Sequence, residues 1–189
     1  MGFSDTTCLC KLVLILLSLC FVIDLIGFAI PYWYVFDHFG IKINGGLWNQ
    51  CDESSGFRNC VRTDERLPDS ILRWFRAVQA FSTLSWVYFL AALVLVMVFV
   101  FSIPGRRVMY LAAIILIFAG AVCALISFTV YAMKFTIGLN QYSAAFAMTI
   151  SASILGFLSG CISVLDYLGV GRCEKVIQNK DVYYDFDFY

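Results

Sequence analysis

Four long apolar stretches, at residues 12–33, 77–103, 108–133 and 143–168, constrain this chain more than any other feature of it. A helix needs about 20 residues to cross about 30 Å of hydrocarbon, and each stretch is long enough. The chain is 61% hydrophobic and 14% charged. A soluble domain is about half apolar and a quarter charged, and the excess here sits in the four blocks. The expected fold class is therefore an all-α transmembrane four-helix bundle, with the lipid bilayer as its first partner.

The connections differ greatly in size. The segment 34–76 is the only one large enough to fold by itself. Pro104-Gly105-Arg106-Arg107 reads as a tight turn, because Pro and Gly both break helices. The third link, 134–142, is short, and a tail follows at 169–189. Residues 1–168 are thus expected to form a single membrane domain. Gly27-Phe28-Ala29 has the small-x-small pattern of a signal-peptide cleavage site, but the apolar run is longer than a usual signal core. The first block therefore reads as a retained span.

Charge excludes some functions and leaves orientation open. The formal net charge is zero, so no basic field points to nucleic acid. One His, His38, leaves little material for His-based catalysis or metal binding. Six Lys and Arg residues fall on one side of the four spans and seven on the other, so the positive-inside rule does not orient the chain. Cysteine placement is more informative. Cys51 and Cys60 are the only cysteines in the large loop, and an isolated pair in a small folded loop reads as a disulfide formed in an oxidising compartment. That puts the loop outside the cell and both termini in the cytosol, with the plasma membrane as the expected location. Cys8, Cys10 and Cys173 would then lie at the cytosolic face, as S-palmitoylation candidates or as reduced thiols with no role.

The loop alternates as a sheet does. Residues 32–36 are aromatic and β-branched. Phe39, Ile41 and Ile43 alternate with Gly40 and Lys42. Asn44-Gly45-Gly46 reads as a hairpin turn, 47–51 as the returning strand, 52–56 as a second turn and 57–62 as the last strand. Cys51 and Cys60 would face each other across that last hairpin. A cross-link closing about ten residues is worth about 2–3 kcal/mol in the chain-entropy model, which matters for a unit too small to be stable unaided.

Trp33, Gly46-Leu47-Trp48, Cys51 and Cys60 together resemble the W-GLW-C-C signature of the claudin, peripheral myelin protein and epithelial membrane protein superfamily. Arg76 matches the Arg that opens the second helix in claudins. Ala77-Val78-Gln79-Ala80 resembles the epithelial membrane protein branch, and Phe118-Ala119-Gly120 and Leu158-Ser159-Gly160 are also similar to the family. The resemblance covers residues from about 11 to 168. It implies a left-handed four-helix bundle capped by a small extracellular antiparallel β-sheet, and a structural protein of cell–cell contacts rather than an enzyme. Such a protein associates with itself laterally, possesses head-on contacts between cells, and seals or organises a paracellular barrier such as a tight junction, with other claudin-like proteins as further partners. The alternative within the superfamily is an auxiliary subunit of a channel or receptor. The span from Trp33 to Gly46 and the third link are both short beside those of claudins, which weakens the case for junction-strand assembly. No cofactor is implied, and no redox pair, metal cluster or phosphate loop suggests catalysis.

Individual residues carry further expectations. Trp33 and Trp48 suit the membrane–water interface. Arg73 and Arg76 suit snorkelling at the boundary, with Arg76 alternatively bonded to the loop backbone. Gly120 and Gly160 suit close helix approach. Asp24 is the anomaly, since an acid at the centre of a span costs about 2.5–3.5 kcal/mol on insertion scales. It should face the bundle, be protonated or find Ser or Thr donors, either to set packing or to bind an ion.

Overall fold

A computed structural model describes residues 8–38, 41–54, 57–101, 107–135 and 141–169. The four apolar blocks form helices: α1 (Cys8–Ala29), α3 (Asp69–Phe101), α4 (Arg107–Lys134) and α5 (Ala144–Tyr167). All four are long and apolar enough to cross a membrane. Between α1 and α3 lie strands β1 (Tyr34–His38), β2 (Ile41–Gly45), β3 (Asn49–Ser54) and β4 (Phe57–Arg62), then a single turn of helix, α2 (Thr63–Arg66).

Two helix ends on the sheet's side depart from expectation. The first span stops at Ala29 instead of 33. Pro31 cannot donate to a helical carbonyl and disfavours helix in the residue before it, so Ile30 makes the last i→i−4 bond, to Ile26. The second helix begins at Asp69, not 77. Its 33 residues extend about 50 Å at 1.5 Å per residue, against about 30 Å of hydrocarbon. The charged run 69–76 is thus helix projecting beyond the apolar zone.

Each long helix packs chiefly on two others, in the closed order α1–α3–α4–α5. Aromatic rings enter slots left by glycine. A Cβ on Gly120 or Gly156 would come within 2.9 Å of the Phe89 ring, and one on Gly160 within 2.8 Å of Phe118. Polar side chains clasp every interface of the ring. Ser85 Oγ donates to Asp24 Oδ2 at 2.8 Å between α3 and α1. Ser82 and Ser127 hydroxyls meet at 2.6 Å between α3 and α4. Ser153 Oγ reaches the Ala121 carbonyl at 3.0 Å between α5 and α4. Cys20 Sγ reaches the Ala152 carbonyl at 3.1 Å between α1 and α5. In lipid the tails are as apolar as the helices, so association rests on close packing and such bonds.

The strands form one antiparallel sheet in the order β1-β2-β3-β4. The expected Asn44-Gly45-Gly46 turn is displaced. Asn44 and Gly45 lie inside β2, paired with Cys51 and Gln50, and the chain reverses over 46–48. Asn44 is buried with its Nδ2 on the Pro31 carbonyl at 3.0 Å. Gly45 lies under the Tyr34 ring, which leaves no room for a Cβ. Packing, not turn geometry, selects both residues. Likewise β3 continues to Ser54, beyond the point where a turn was expected. Phe39 and Gly40 of the expected alternation, Ser55 and Gly56 of the second expected turn, and Pro104-Gly105-Arg106 lie outside the described residues, as does Cys173.

Candidate functional site

The signature residues converge where the sheet is seated on the bundle. Trp33 is fully buried within the protein. Its indole Nε1 donates to the Gly27 carbonyl at 2.9 Å, and its ring packs edge-on to Tyr131 and Phe146, with centroids 4.9 and 5.9 Å away. Its backbone binds both neighbours. The N–H donates to Gly45 O at 2.8 Å, and the carbonyl accepts from the Ser143 N–H at 3.1 Å. The Ala145 N–H, in the first turn of α5, donates to Tyr32 O at 3.0 Å. The start of α5, whose early N–H groups lack helical partners, is thereby tied to the chain leaving α1.

Gly46-Leu47-Trp48 forms the reversal between β2 and β3. A Cβ on Gly46 would fall 2.5 Å from Pro31 Cα and 2.8 Å from the Ile30 carbonyl, and backbone cannot yield as a side chain can. Leu47 is fully buried in the aromatic cluster with Trp33, Phe75 and Tyr131, and its carbonyl accepts from Gln79 Nε2 at 2.7 Å. Thr63 closes the far side, with its N–H on Trp48 O at 2.9 Å and its hydroxyl on Gly46 O at 3.3 Å. Trp48 remains 38% exposed and lies edge-on to Phe28 at the end of α1, with centroids 5.2 Å apart.

Cys51 and Cys60 are paired residues of β3 and β4 and form a disulfide. Beside it, Asp52 pairs with Arg66, so β3 is also tied to α2. Burial pushes the Tyr34 phenol up to about 12, with the Asp52 carboxylate adding to the shift and the Arg66 guanidinium opposing it.

Arg76 is exposed on α3 and makes no hydrogen bond or ion pair among the described residues. The bond to the loop backbone that it offered in the sequence belongs to Gln79, one turn further along. Asp24 is buried and accepts from Ser85, one of the donors its position demanded. Of the candidate acylation sites, Cys8 is exposed, while Cys10 is buried in the bundle core at 2% exposure. The signature names the seat but misses Asn44, Thr63, Gln79, Ser85 and Tyr131. Gln79 and Ser85 had a visible signal, as hydrogen-bonding side chains inside an apolar block.

Four membrane-length helices closed by a disulfide-linked antiparallel sheet between the first two define a multi-pass membrane protein of the claudin type. Residues 8–165 match the PMP-22/EMP/MP20/Claudin family, and the chain belongs to it. No curated protein matches the chain at a significant level. Membership points to a structural, non-catalytic membrane protein.

Proposed function

We propose that this protein is a structural component of cell–cell contacts in the plasma membrane, with the sheet outside the cell and both termini in the cytosol. There it associates laterally with copies of itself or with related proteins and organises a paracellular barrier. The observation that carries this reading is the seating of the sheet. Hydrogen bonds from Gln79, Ser143 and Ala145 hold it against the helix bundle, and the Cys51–Cys60 disulfide braces its last two strands. A rigid platform presents β4 as an open edge, with Phe57 83% exposed at its start. Exposed edges and apolar tips are surfaces that proteins use to pair. The tail 169–189 is cytosolic in this reading, and exposed Cys8, at the start of α1, is a site for acylation on the same side.

The test is expression of a tagged form in cells lacking junctions. Density at borders between two expressing cells should exceed that at free membrane and at borders with non-expressing cells. Equal density at all three would overturn the reading. The short link between α4 and α5 favours the second reading, an auxiliary subunit of a channel or receptor, which predicts co-purification with a larger membrane protein and no border enrichment.

A further inference from the structure

At the seam between the sheet and α3, the arginines divide into two kinds. Arg62 is bonded to Asp64, and Arg66 to Asp52. Arg73 and Arg76 are exposed and make no ion pair or hydrogen bond among the described residues. Three residues apart, they share one face of α3, which they line with Asp69. Arg76 also borders a second recess of about 300 Å³, walled by Trp48, Arg62, Asp64 and Gln79. Two unpaired guanidiniums beside one carboxylate leave this face locally positive.

Its depth can be placed from the helices. Asp24 and Ser85 touch, so they mark one level in α1 and α3. From Asp24 to the end of α1 at Ala29 is about 7 Å, and from Ser85 back to Arg76 about 13 Å, at 1.5 Å per residue. Arg76 therefore stands about 6 Å beyond the end of α1. The polar headgroup zone is about 5–7 Å deep on each side of the hydrocarbon. Trp48, leaning on Phe28 at the end of α1, supplies an aromatic wall at the boundary where such rings settle.

We infer that this seam binds the phosphate headgroup of an anionic glycerophospholipid in the leaflet on the sheet's side, with Arg73 and Arg76 as its ligands and the acyl chains running down past Phe28 and Trp48. A planar guanidinium matches two phosphate oxygens at once. Neither arginine needs to give up an existing partner to do so. The inference concerns the affinity of the seam and does not depend on a role at cell contacts.

The full chain, reconstituted in phosphatidylcholine vesicles containing a minority of phosphatidylglycerol and then released in mild detergent, should retain phosphatidylglycerol above its bulk proportion when bound lipid is counted by native mass spectrometry. R73Q/R76Q should lower that enrichment about fivefold per arginine removed. K42Q/R58Q removes the same charge at the hairpin ends away from the bundle and should leave it unchanged. Undiminished enrichment in R73Q/R76Q overturns the inference. Should that variant not fold, the wild-type protein still decides. Absence of enrichment, enrichment indifferent to salt, or displacement by inorganic phosphate, which marks a site for the free ion, each overturns it.

Discussion

Gly46 is fixed by space. Its neighbours in the tight approach are the Pro31 backbone and the Ile30 carbonyl, so a methyl group must push the reversal off the end of α1. Gly46→Ala is expected to cost at least about 1–3 kcal/mol, the range for overpacking, and thermal unfolding of the purified protein in detergent measures it. Asp24 behaves differently because a hydrogen bond, not volume, holds it. Asp24→Asn keeps an acceptor of nearly the same shape for Ser85, and its stability should fall within about 1 kcal/mol of the parent. Asp24→Leu should insert normally, since it removes a polar group from a span. It strands the Ser85 hydroxyl and crowds a buried site, at a cost of about 1–3 kcal/mol. A Leu variant as stable as the parent would show that the clasp contributes nothing to packing.

At the scale of elements, the helices were legible because each apolar block is longer than any soluble helix requires. The start of α3 was not, because residues 69–76 carry Asp69, Arg73 and Arg76 and mimic a solvated loop. The strands were legible from alternation and the disulfide from the isolation of its cysteines. The turn was misplaced because Asn-Gly signals local geometry, whereas here Asn44 serves Pro31 and Gly45 makes room for Tyr34. Long-range demands of that sort leave no periodic trace. The hydrogen bond from Gln79 to Leu47 O links α3 to the sheet. Gln79→Leu leaves that carbonyl without its donor, a loss of about 1–3 kcal/mol. The expected outcome is faster amide exchange over 46–50 while exchange in α4 and α5 is unchanged.

For the molecule as a whole, sheet and bundle share one aromatic core, and Tyr34 sits in it. Its phenol titrates at an ordinary value of 10.0 when exposed and at about 12 when folded. A group that holds its proton more tightly in the folded state stabilises fully below the lower value and loses that contribution as pH rises through the higher one. The seat of the sheet should therefore weaken between about pH 10 and 12, by about 2–3 kcal/mol. Tyr34→Phe should flatten that part of the stability curve. A parent and variant with parallel curves would exclude the phenol as the cause.

The bonds from Ser143 and Ala145 to the carbonyls of Trp33 and Tyr32 carry one more implication. They make the membrane part of the sheet's own fold. A water-soluble fragment cut from residues 34–68 would lose Trp33, the aromatic floor and the amide donors together. Antibodies or binders meant for the native surface should accordingly be selected against the whole protein in nanodiscs, because an excised peptide presents a different shape.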